Sequence, residues 1–268
     1  MRIRIVDAFT DRPFAGNPAG VLILDRSDFP ADDWMQAVAA EVNLSETAFV
    51  HPLPDGGEAD FALRWFTPAV EVALCGHATL ATAHVLGREG VVRFATRSGV
   101  LTAAAGADGS YTLDFPTSPL EELPPQPELA ALLGAEIVSQ HHTGPNTDDY
   151  LVELRSEEVV RGLRPDQIGL GRLPQRGIVV TARAASADAG YDFVSRCFGA
   201  AAGVFEDPVT GSSHTALGPF WSARLDGRKE LIGYQASRRG GLVRVALRGD
   251  RTLLTGQAVT VLDGTLHA

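Results

Sequence analysis

A glutamate with apolar neighbours is the first candidate for acid–base chemistry in this sequence. Glu46 lies in the segment NLSETAFV, between a predicted helix and a predicted strand, and Leu44, Ala48 and Phe49 surround it. Burial raises the pKa of a carboxyl group because it disfavours the charged form. A carboxyl group whose pKa lies near neutral pH can both accept and donate a proton. The alternative is a solvated loop glutamate without a chemical role.

Two predicted helices begin at glycine-containing turns, which makes both turns candidate anion sites. The first turn is CGHA, with Gly76 and His77, and the second is TGSS, with Gly211, Ser212 and Ser213. A helix N-terminus has unpaired N–H groups and a positive dipole end, and glycine lets a ligand approach the backbone. The two turns together would hold a small carboxylate without any arginine. The alternative is that the hydroxyl groups of TGSS only cap the helix.

Two further side chains near these turns can take part in chemistry. Asp207 lies in EDPVTGSS, where a carboxylate before a helix can cap that helix or act in a cleft. His77 can hydrogen-bond a substrate or share in proton transfer. The alternative for His77 is a structural histidine whose ring nitrogens are satisfied within the core, and we favour that interpretation for the equivalent His214.

The sequence lacks the motifs that are typical of several other reaction classes. The chain has no HExxH or paired CxxC spacing, which zinc sites use. It has no phosphate-binding loop, no strand-linked GxGxxG and no GxSxG nucleophile elbow. Proton transfer by carboxyl groups needs neither a metal ion nor an organic cofactor. We therefore expect an enzyme without a metal or an organic cofactor.

The composition and charge of the chain limit the classes of molecule that it is expected to bind. The 268 residues carry a formal net charge of −10, which disfavours nucleic acid or an anionic membrane as the main partner. No apolar run approaches the roughly 20 residues of a spanning helix. The first residues of the chain have the pattern of a strand. The chain has only two cysteines, which is typical of a protein in a reducing compartment. We expect a cytoplasmic protein whose partner is a small carboxylate substrate.

The elements that must position these residues follow from hydrophobic periodicity. Alternation of apolar residues predicts seven strands before residue 116, a helix over Ala31–Val42 and a second helix from Ala78 to Arg88. The second helix is apolar on all sides, which predicts a buried position. The segment Thr117–Pro127 is rich in proline and acid, and it predicts a linker.

The two halves of the chain resemble each other. GNPAGVLIL (Gly16–Leu24) matches GPNTDDYLVEL (Gly144–Leu154), and FTPAVEVALCGHATLATA (Phe66–Ala83) matches FEDPVTGSSHTALGPF (Phe205–Phe220). These repeats predict an α+β fold with two pseudo-symmetric lobes, each a curled mixed sheet around a central buried helix. We expect lobes over residues 1–118 and 126–268, with the last strand able to return to the first lobe and the active site in the cleft between them.

Five ordered motifs also carry a family resemblance across nearly the whole chain. They are DAFTDRPFAGNPAGV, NLSETAFV, RWFTPAVEVALCGHATLA, EDPVTGSSH and QASRRGG. With them the sequence resembles the phenazine-biosynthesis PhzF-like isomerases, which share the fold of diaminopimelate epimerase. The resemblance implies no cofactor, frequent homodimers, and a proton shift such as that of trans-2,3-dihydro-3-hydroxyanthranilate isomerase.

The resemblance also implies a set of site residues. The family's essential glutamate falls on Glu46, and its other site positions match without exception. We take as catalytic candidates Glu46, His77, Asp207 and Ser212, and as substrate-binding candidates Gly76, Gly211 and Ser213.

Two alternatives stay open at this point. Related amino-acid epimerases and racemases use two facing cysteines, and here Cys75 fills the first position while Thr210 fills the second. A threonine hydroxyl is far too weak an acid to replace a thiol. The other alternative is a small-molecule-binding protein without catalysis.

Overall fold

The computed structural model describes residues 1–145 and 147–267. Asn146, which belongs to the segment matched to GNPAGVLIL, lies outside them. By its internal contacts the chain divides into two units. The first comprises Met1–Asp114 together with the described residues from Thr255 onward, and the second comprises Phe115–Leu254. No helix in the described ranges is long and apolar enough to span a membrane.

Helices and strands alternate along the described chain. The α-helices are α1 Asp32–Val42, α2 Gly76–Leu86, α3 Pro127–Leu133, α4 Glu157–Gly162, α5 Gln167–Leu170 and α6 Gly211–Arg224. The strands are β1 Arg2–Ala8, β2 Asn17–Ile23, β3 Glu46–Pro52, β4 Phe61–Phe66, β5 Glu71–Val72, β6 Val91–Thr96, β7 Gly99–Ala105, β8 Tyr111–Pro116, β9 Glu121–Leu123, β10 Ile137–His142, β11 Asp149–Leu154, β12 Gly177–Arg183, β13 Phe193–Gly199, β14 Val204–Asp207, β15 Glu230–Gln235, β16 Gly241–Arg248, β17 Arg251–Gly256 and β18 Ala258–Thr265.

The first unit is a mixed sheet that curls around α2. Strand β1 lies between β18 and β2 and is antiparallel to both. From β2 the sheet continues through β3 (parallel), β4 (antiparallel), β6 (parallel) and β7 (antiparallel). Helix α2 contacts strands from β18 to β7, and its residues from Gly76 to Ala83 are all buried. The predicted buried helix is thus confirmed, and its small side chains let the strands approach it closely.

Two threonines show how α2 can be polar in places and still be buried. The hydroxyl of Thr79 donates to the carbonyl of Cys75, and the hydroxyl of Thr82 donates to the carbonyl of Ala78. Such bonds to the carbonyl one turn earlier satisfy the hydroxyl inside the helix itself. These two threonines therefore need no polar partner from the surrounding sheet.

The second unit repeats the pairing order of the first. Strand β10 is followed by β11 (antiparallel), β12 (parallel), β13 (antiparallel), β15 (parallel) and β16 (antiparallel). Helix α6 takes the place of α2 and contacts β11, β15 and β16. The predicted fold class, α+β with two similar units of curled mixed sheet around a buried helix, is confirmed.

Smaller helices cover the outer face of each sheet. In the first unit, Met35 and Val38 of α1 pack on Leu22 and Phe49. In the second unit, α3, α4 and α5 contribute to an apolar cluster with the strands β10 to β13. These helices cover part of each outer face, whereas strands such as β6 and β16 alternate between buried and exposed residues.

The prediction of a linker over Thr117–Pro127 is wrong. Strand β9 lies inside this segment and pairs with β10. Pro219 lies within α6 and has no N–H group to bond the carbonyl of Thr215. The N–H of Ser118 donates to that carbonyl instead, at 3.2 Å. The segment is thus tied into the second unit, although its proline content resembles that of a flexible connection.

Several short elements have no signal of their own in the sequence. Strands β5, β9 and β14 are two to four residues long and pair with β4, β10 and β13. Runs of this length cannot show a period of two, and their pairing depends on a partner strand.

His214 lies where α6 closely approaches β15. A Cβ atom at Gly233 of β15 would lie 2.9 Å from its Nε2 and 2.6 Å from the ring of Phe193. The ring donates from Nδ1 to the carbonyl of Thr210 at 2.9 Å, and Nε2 has no hydrogen-bond partner among the described residues. Burial lowers the pKa of His214 to about 4. The structural role expected for this histidine agrees with its full burial.

We predict that His214 makes the protein sensitive to acid. The unfolded chain takes up a proton on this ring near pH 6.5, whereas the folded protein does so only near pH 4. The free energy of unfolding should therefore fall below pH 6.5, by at most about 1.4 kcal/mol per pH unit for one proton, and this contribution should level off below pH 4. His214→Asn keeps a donor for Thr210 but cannot titrate. Denaturant unfolding between pH 6.5 and 4.5 should show a shallower pH dependence for this variant, and equal slopes would contradict the prediction.

Candidate active site

In the first unit, Glu46 and His77 are brought together at the start of α2. Glu46 is the first residue of β3, which runs parallel to β2, and His77 is the second residue of α2. Glu46 Oε2 lies 3.3 Å from His77 Nε2, and the side chains are 18% and 5% exposed. The low exposure of Glu46 rules out the alternative of a fully solvated loop glutamate.

Asn17 fixes the orientation of the His77 ring from the other side. It is the first residue of β2, is fully buried, and places its amide Nδ2 3.2 Å from His77 Nδ1. Its position depends on Gly16, which has a φ of 63° and whose Cβ would lie 2.1 Å from the carbonyl oxygen of Ala8. With the amide oriented in this way, Nδ1 accepts a hydrogen bond and the ring proton belongs on Nε2, toward Glu46.

The His77 ring is neutral in this environment. A neighbouring carboxylate favours a protonated ring, but burial disfavours the charge more strongly and lowers the pKa of His77 to about 3. The contact with Glu46 is therefore one between a neutral imidazole and a carboxyl group. The atoms are not aligned for a full hydrogen bond, and Nε2 has no other partner among the described residues. A buried donor left incompletely used is available to a ligand.

Cys75 completes the surroundings of His77. Its Sγ atom lies 3.5 Å from His77 Nδ1, and the thiol is buried. The ligating atoms of Glu46, Cys75 and His77 all lie within 4.8 Å of one another, which is a spacing that a metal ion can use. However, Cys75 faces Nδ1 and Glu46 faces Nε2, so neither ring nitrogen faces both other groups. The geometry fits a set of polar contacts better than a metal site.

In the second unit, the turn before α6 is held rigidly. Gln235 is buried, accepts from the N–H of Thr210 at 2.8 Å and donates to the carbonyl of Asp207 at 2.7 Å. The Asp207 side chain, at the end of β14, accepts from the hydroxyl of Thr210. Ser237 donates to the carbonyl of Pro208. These bonds fix the backbone that leads into Gly211, the first residue of α6.

The serines at the start of α6 do not cap the helix. Thr210 is the N-cap residue and makes no side-chain capping bond. Ser212 Oγ accepts from Arg176 Nη2 at 3.2 Å, and Ser213 Oγ lies 3.5 Å from Asp149 Oδ2. The capping alternative is therefore wrong. An arginine, Arg176, thus lies at the turn that was expected to hold a small carboxylate without one.

The starts of the equivalent strands β3 and β12 carry opposite charge in the two units. Glu46 opens β3 next to its parallel neighbour β2, and Arg176 directly precedes β12 next to its parallel neighbour β11. His77 and Ser212 are each the second residue of the central helix. The pair Glu46–His77 in the first unit thus corresponds to the pair Arg176–Ser212 in the second.

Cys197 is a poor candidate for a reactive thiol. It lies on β13 with its Sγ 3.8 Å from Ser213 Oγ, and it is fully buried. Burial, together with the charge of Asp149, raises the pKa of Cys197 to about 12. The reactive form of a cysteine is the thiolate, which is scarce at neutral pH for such a group. No second thiol therefore takes the place that Thr210 occupies.

Sequence reasoning missed four polar residues of these two sites. Asn17 and Gln235 lie inside the motifs GNPAG and QASRRGG, so the motifs signal their positions but not their partners. Asp149 lies within the second-half match GPNTDDYLVEL, but a fully buried carboxylate is not apparent from the sequence TDDY. Arg176 lies in the turn LPQRGI and carries no signal, because its role depends on the strand register.

A similar fold occurs in a solved structure of distant sequence. The crystal structure of a hydroxyproline epimerase from Agrobacterium vitis superposes with a TM-score of 0.63 at 16% identity, covering 98% of this chain and 91% of that one. At this identity the likeness concerns the fold alone.

Sequence comparison then places the chain in one family. The model of the phenazine biosynthesis-like protein family matches residues 6–264, and the chain belongs to this family. An uncharacterized isomerase from Halalkalibacterium halodurans is 48% identical over 271 residues, which cover 98% of this chain and 97% of that protein. The human phenazine biosynthesis-like domain-containing protein is 38% identical and covers 99% of both chains. A PhzF-family crystal structure from Enterococcus faecalis has a TM-score of 0.90 at 38% identity, covering 100% and 99%.

We predict that the His77 ring stays neutral, with its proton on Nε2, well below pH 6.5. The reasons are its burial and the Asn17 amide at Nδ1. NMR of protein labelled with ¹⁵N in its histidines distinguishes the two tautomers and the charged form by the ring nitrogen shifts. The His77→Asn variant assigns the signal by its disappearance. A ring that titrates near pH 6.5, or one protonated on Nδ1, would contradict the prediction.

Proposed function

We propose that this protein is a cofactor-independent isomerase that moves a proton between two carbons of a small, cyclic or unsaturated carboxylate. The nearest reaction type is that of trans-2,3-dihydro-3-hydroxyanthranilate isomerase. The observation that carries the proposal is the buried contact between Glu46 and a neutral His77. Membership in the phenazine biosynthesis-like family and relatives named isomerases support the same class.

Glu46 is the acid and the base in this proposal. Its carboxylate removes a proton from one carbon, and the resulting carboxylic acid returns the proton to another carbon of the same substrate. The double bond shifts in the opposite sense, so that substrate and product have the same composition and charge. One group can perform both steps if it lies close to both carbons and its pKa is near the working pH.

His77 and Asn17 position this chemistry. The Nε2–H group of His77 can donate to Glu46 or to an oxygen that gains charge when the substrate loses its proton. A neutral imidazole does so without transferring its own proton, because its pKa lies far below the working pH. Gly76 leaves the backbone at the helix start accessible. The catalytic roles of Asp207 and Ser212 and the substrate-binding roles of Gly211 and Ser213 remain predictions. The homodimer is also a prediction.

An amino-acid epimerase or racemase is the main alternative. Its mechanism needs a second acid–base group opposite Cys75, and Thr210 occupies the corresponding turn of the second unit. Cys197 cannot replace it, because burial raises the pKa of that thiol to about 12. These observations favour proton transfer by Glu46 over transfer between two thiols.

We predict that Glu46→Gln abolishes proton transfer while the protein stays folded. Glutamine keeps the size and much of the hydrogen bonding but cannot cycle a proton, so the rate should fall by about 10²–10⁴. The measurement is deuterium incorporation from heavy water into a panel of cyclic diene acids and amino acids. Glu41→Gln, an exposed position on α1, is the matched control and should behave as wild type.

The position of the label separates the candidate functions. Deuterium at a diene carbon supports the proposed isomerase, and deuterium at Cα of an amino acid supports the epimerase. Equal incorporation by wild type and Glu46→Gln would mean that another residue carries the proton. A protein that binds members of the panel without exchange would be a binding protein.

We also predict that Cys75 is dispensable for the chemistry. Cys75→Ser keeps a small polar group beside His77 Nδ1, and a hydroxyl can donate to that nitrogen as the thiol does. The value of kcat should change less than tenfold. A loss of about a thousandfold in a folded variant would instead support the epimerase.

A further inference from the structure

The second unit contains an ion pair between the buried Asp149 and the partly exposed Arg176. This pair leaves some N–H groups of the arginine available to a ligand. Asp149 is fully buried and accepts from Arg176 at two positions, from Nε at 3.0 Å and from Nη2 at 2.6 Å. Burial raises the pKa of Asp149, and the positive charge of Arg176 opposes this shift. This is a bidentate ion pair between a carboxylate and a guanidinium, which is stronger than an ion pair with a single hydrogen bond.

The remaining bonds of Arg176 fix its plane. Its Nε also donates to the carbonyl of Thr147 at 2.6 Å, and its Nη2 donates to Ser212 Oγ at 3.2 Å. Four acceptor atoms therefore bind the guanidinium at Nε and Nη2. Such a group loses little conformational freedom when it binds a ligand, because its orientation is already set.

The second terminal nitrogen of the guanidinium, Nη1, has no partner among the described residues. Nη1 carries two N–H groups and makes no hydrogen bond or ion pair with any residue that the structure describes. The Arg176 side chain is 42% exposed, although Asp149 beneath it is only 1% exposed. A partly exposed guanidinium thus lies on a buried carboxylate, next to Ser212.

We propose that Arg176 binds the carboxylate of the substrate through Nη1, and that Asp149 is the residue that positions it. A guanidinium matches a carboxylate in shape and charge, and the hydroxyl of Ser212 is within reach of the same anion as a second donor. The substrate class, a carboxylate, rests on the proposed isomerase function. The assignment of Arg176 rests on the geometry of the second unit and on its position just before β12, the strand equivalent to the one that Glu46 opens in the first unit.

A direct binding experiment tests this proposal without requiring turnover. Benzoate serves as the probe, and benzamide serves as its neutral counterpart of the same size. Titration calorimetry on the full-length protein should show benzoate binding more tightly than benzamide. In Arg176→Gln, benzoate affinity should fall at least tenfold while benzamide affinity stays within twofold, since glutamine offers one donor to Asp149 but no cation.

Two further variants serve as controls. Arg172→Gln removes the same charge from an exposed residue near Arg176 and should leave benzoate affinity unchanged. Arg176→Lys protects against a folding defect because it keeps a cation beside Asp149. Its single ammonium faces the buried carboxylate, so benzoate affinity should fall here as well, with thermal unfolding close to wild type.

The possible results separate this proposal from the proposed function. Benzoate affinity equal to wild type in a folded Arg176 variant overturns it, and so does a wild-type protein that does not prefer benzoate to benzamide. An equal loss of both probes in Arg176→Gln also overturns it, because that result indicates a structural role. Glu46→Gln should retain benzoate binding. Absence of deuterium exchange with Arg176-dependent benzoate binding would reject the isomerase but leave this site in place.

Discussion

The rest of the structure depends on the burial of one helix of small residues in each sheet. Helix α2 is enclosed from Gly76 to Ala83, so the polar groups at its start cannot rely on bulk water. Each must find a partner among the strand ends that surround it. Asn17 at the start of β2 and Glu46 at the start of β3 are those partners for His77. The same enclosure keeps the ring neutral, since a charge there would have to be desolvated.

The two units use one scaffold for two electrostatic purposes. In the first, a carboxyl group meets a neutral imidazole, an arrangement suited to moving a proton. In the second, a guanidinium meets a serine hydroxyl, an arrangement suited to holding an anion. Because the pairing order of the strands is the same, this difference arises from a few side chains at equivalent positions. A duplicated fold can in this way supply an acid–base group and an anion-binding group without a change in its backbone plan.

Buried carboxylates have different consequences in the two units. Glu46 is 18% exposed and lies beside a neutral ring, which fits the proposed role in proton transfer. Asp149 is fully buried and bound at both oxygens by a guanidinium, so it is suited to positioning and not to proton cycling. Removing either member of such a buried pair is costly because the other member is left uncompensated.

The sequence by itself determined the main elements and the first-unit site. Alternating apolar residues located most strands, the repeat located the two units, and the apolar character of ATLATAHVL predicted the buried α2. Glu46 and His77 were predicted from residue type and motif. Only the tertiary structure decided the second-unit partners: Asp149, Arg176 and Gln235 are far apart along the chain, and strand register alone brings them to the start of α6. The segment Thr117–Pro127 was misassigned for a related reason, since its bonds to β10 and α6 are long-range contacts that local composition does not encode.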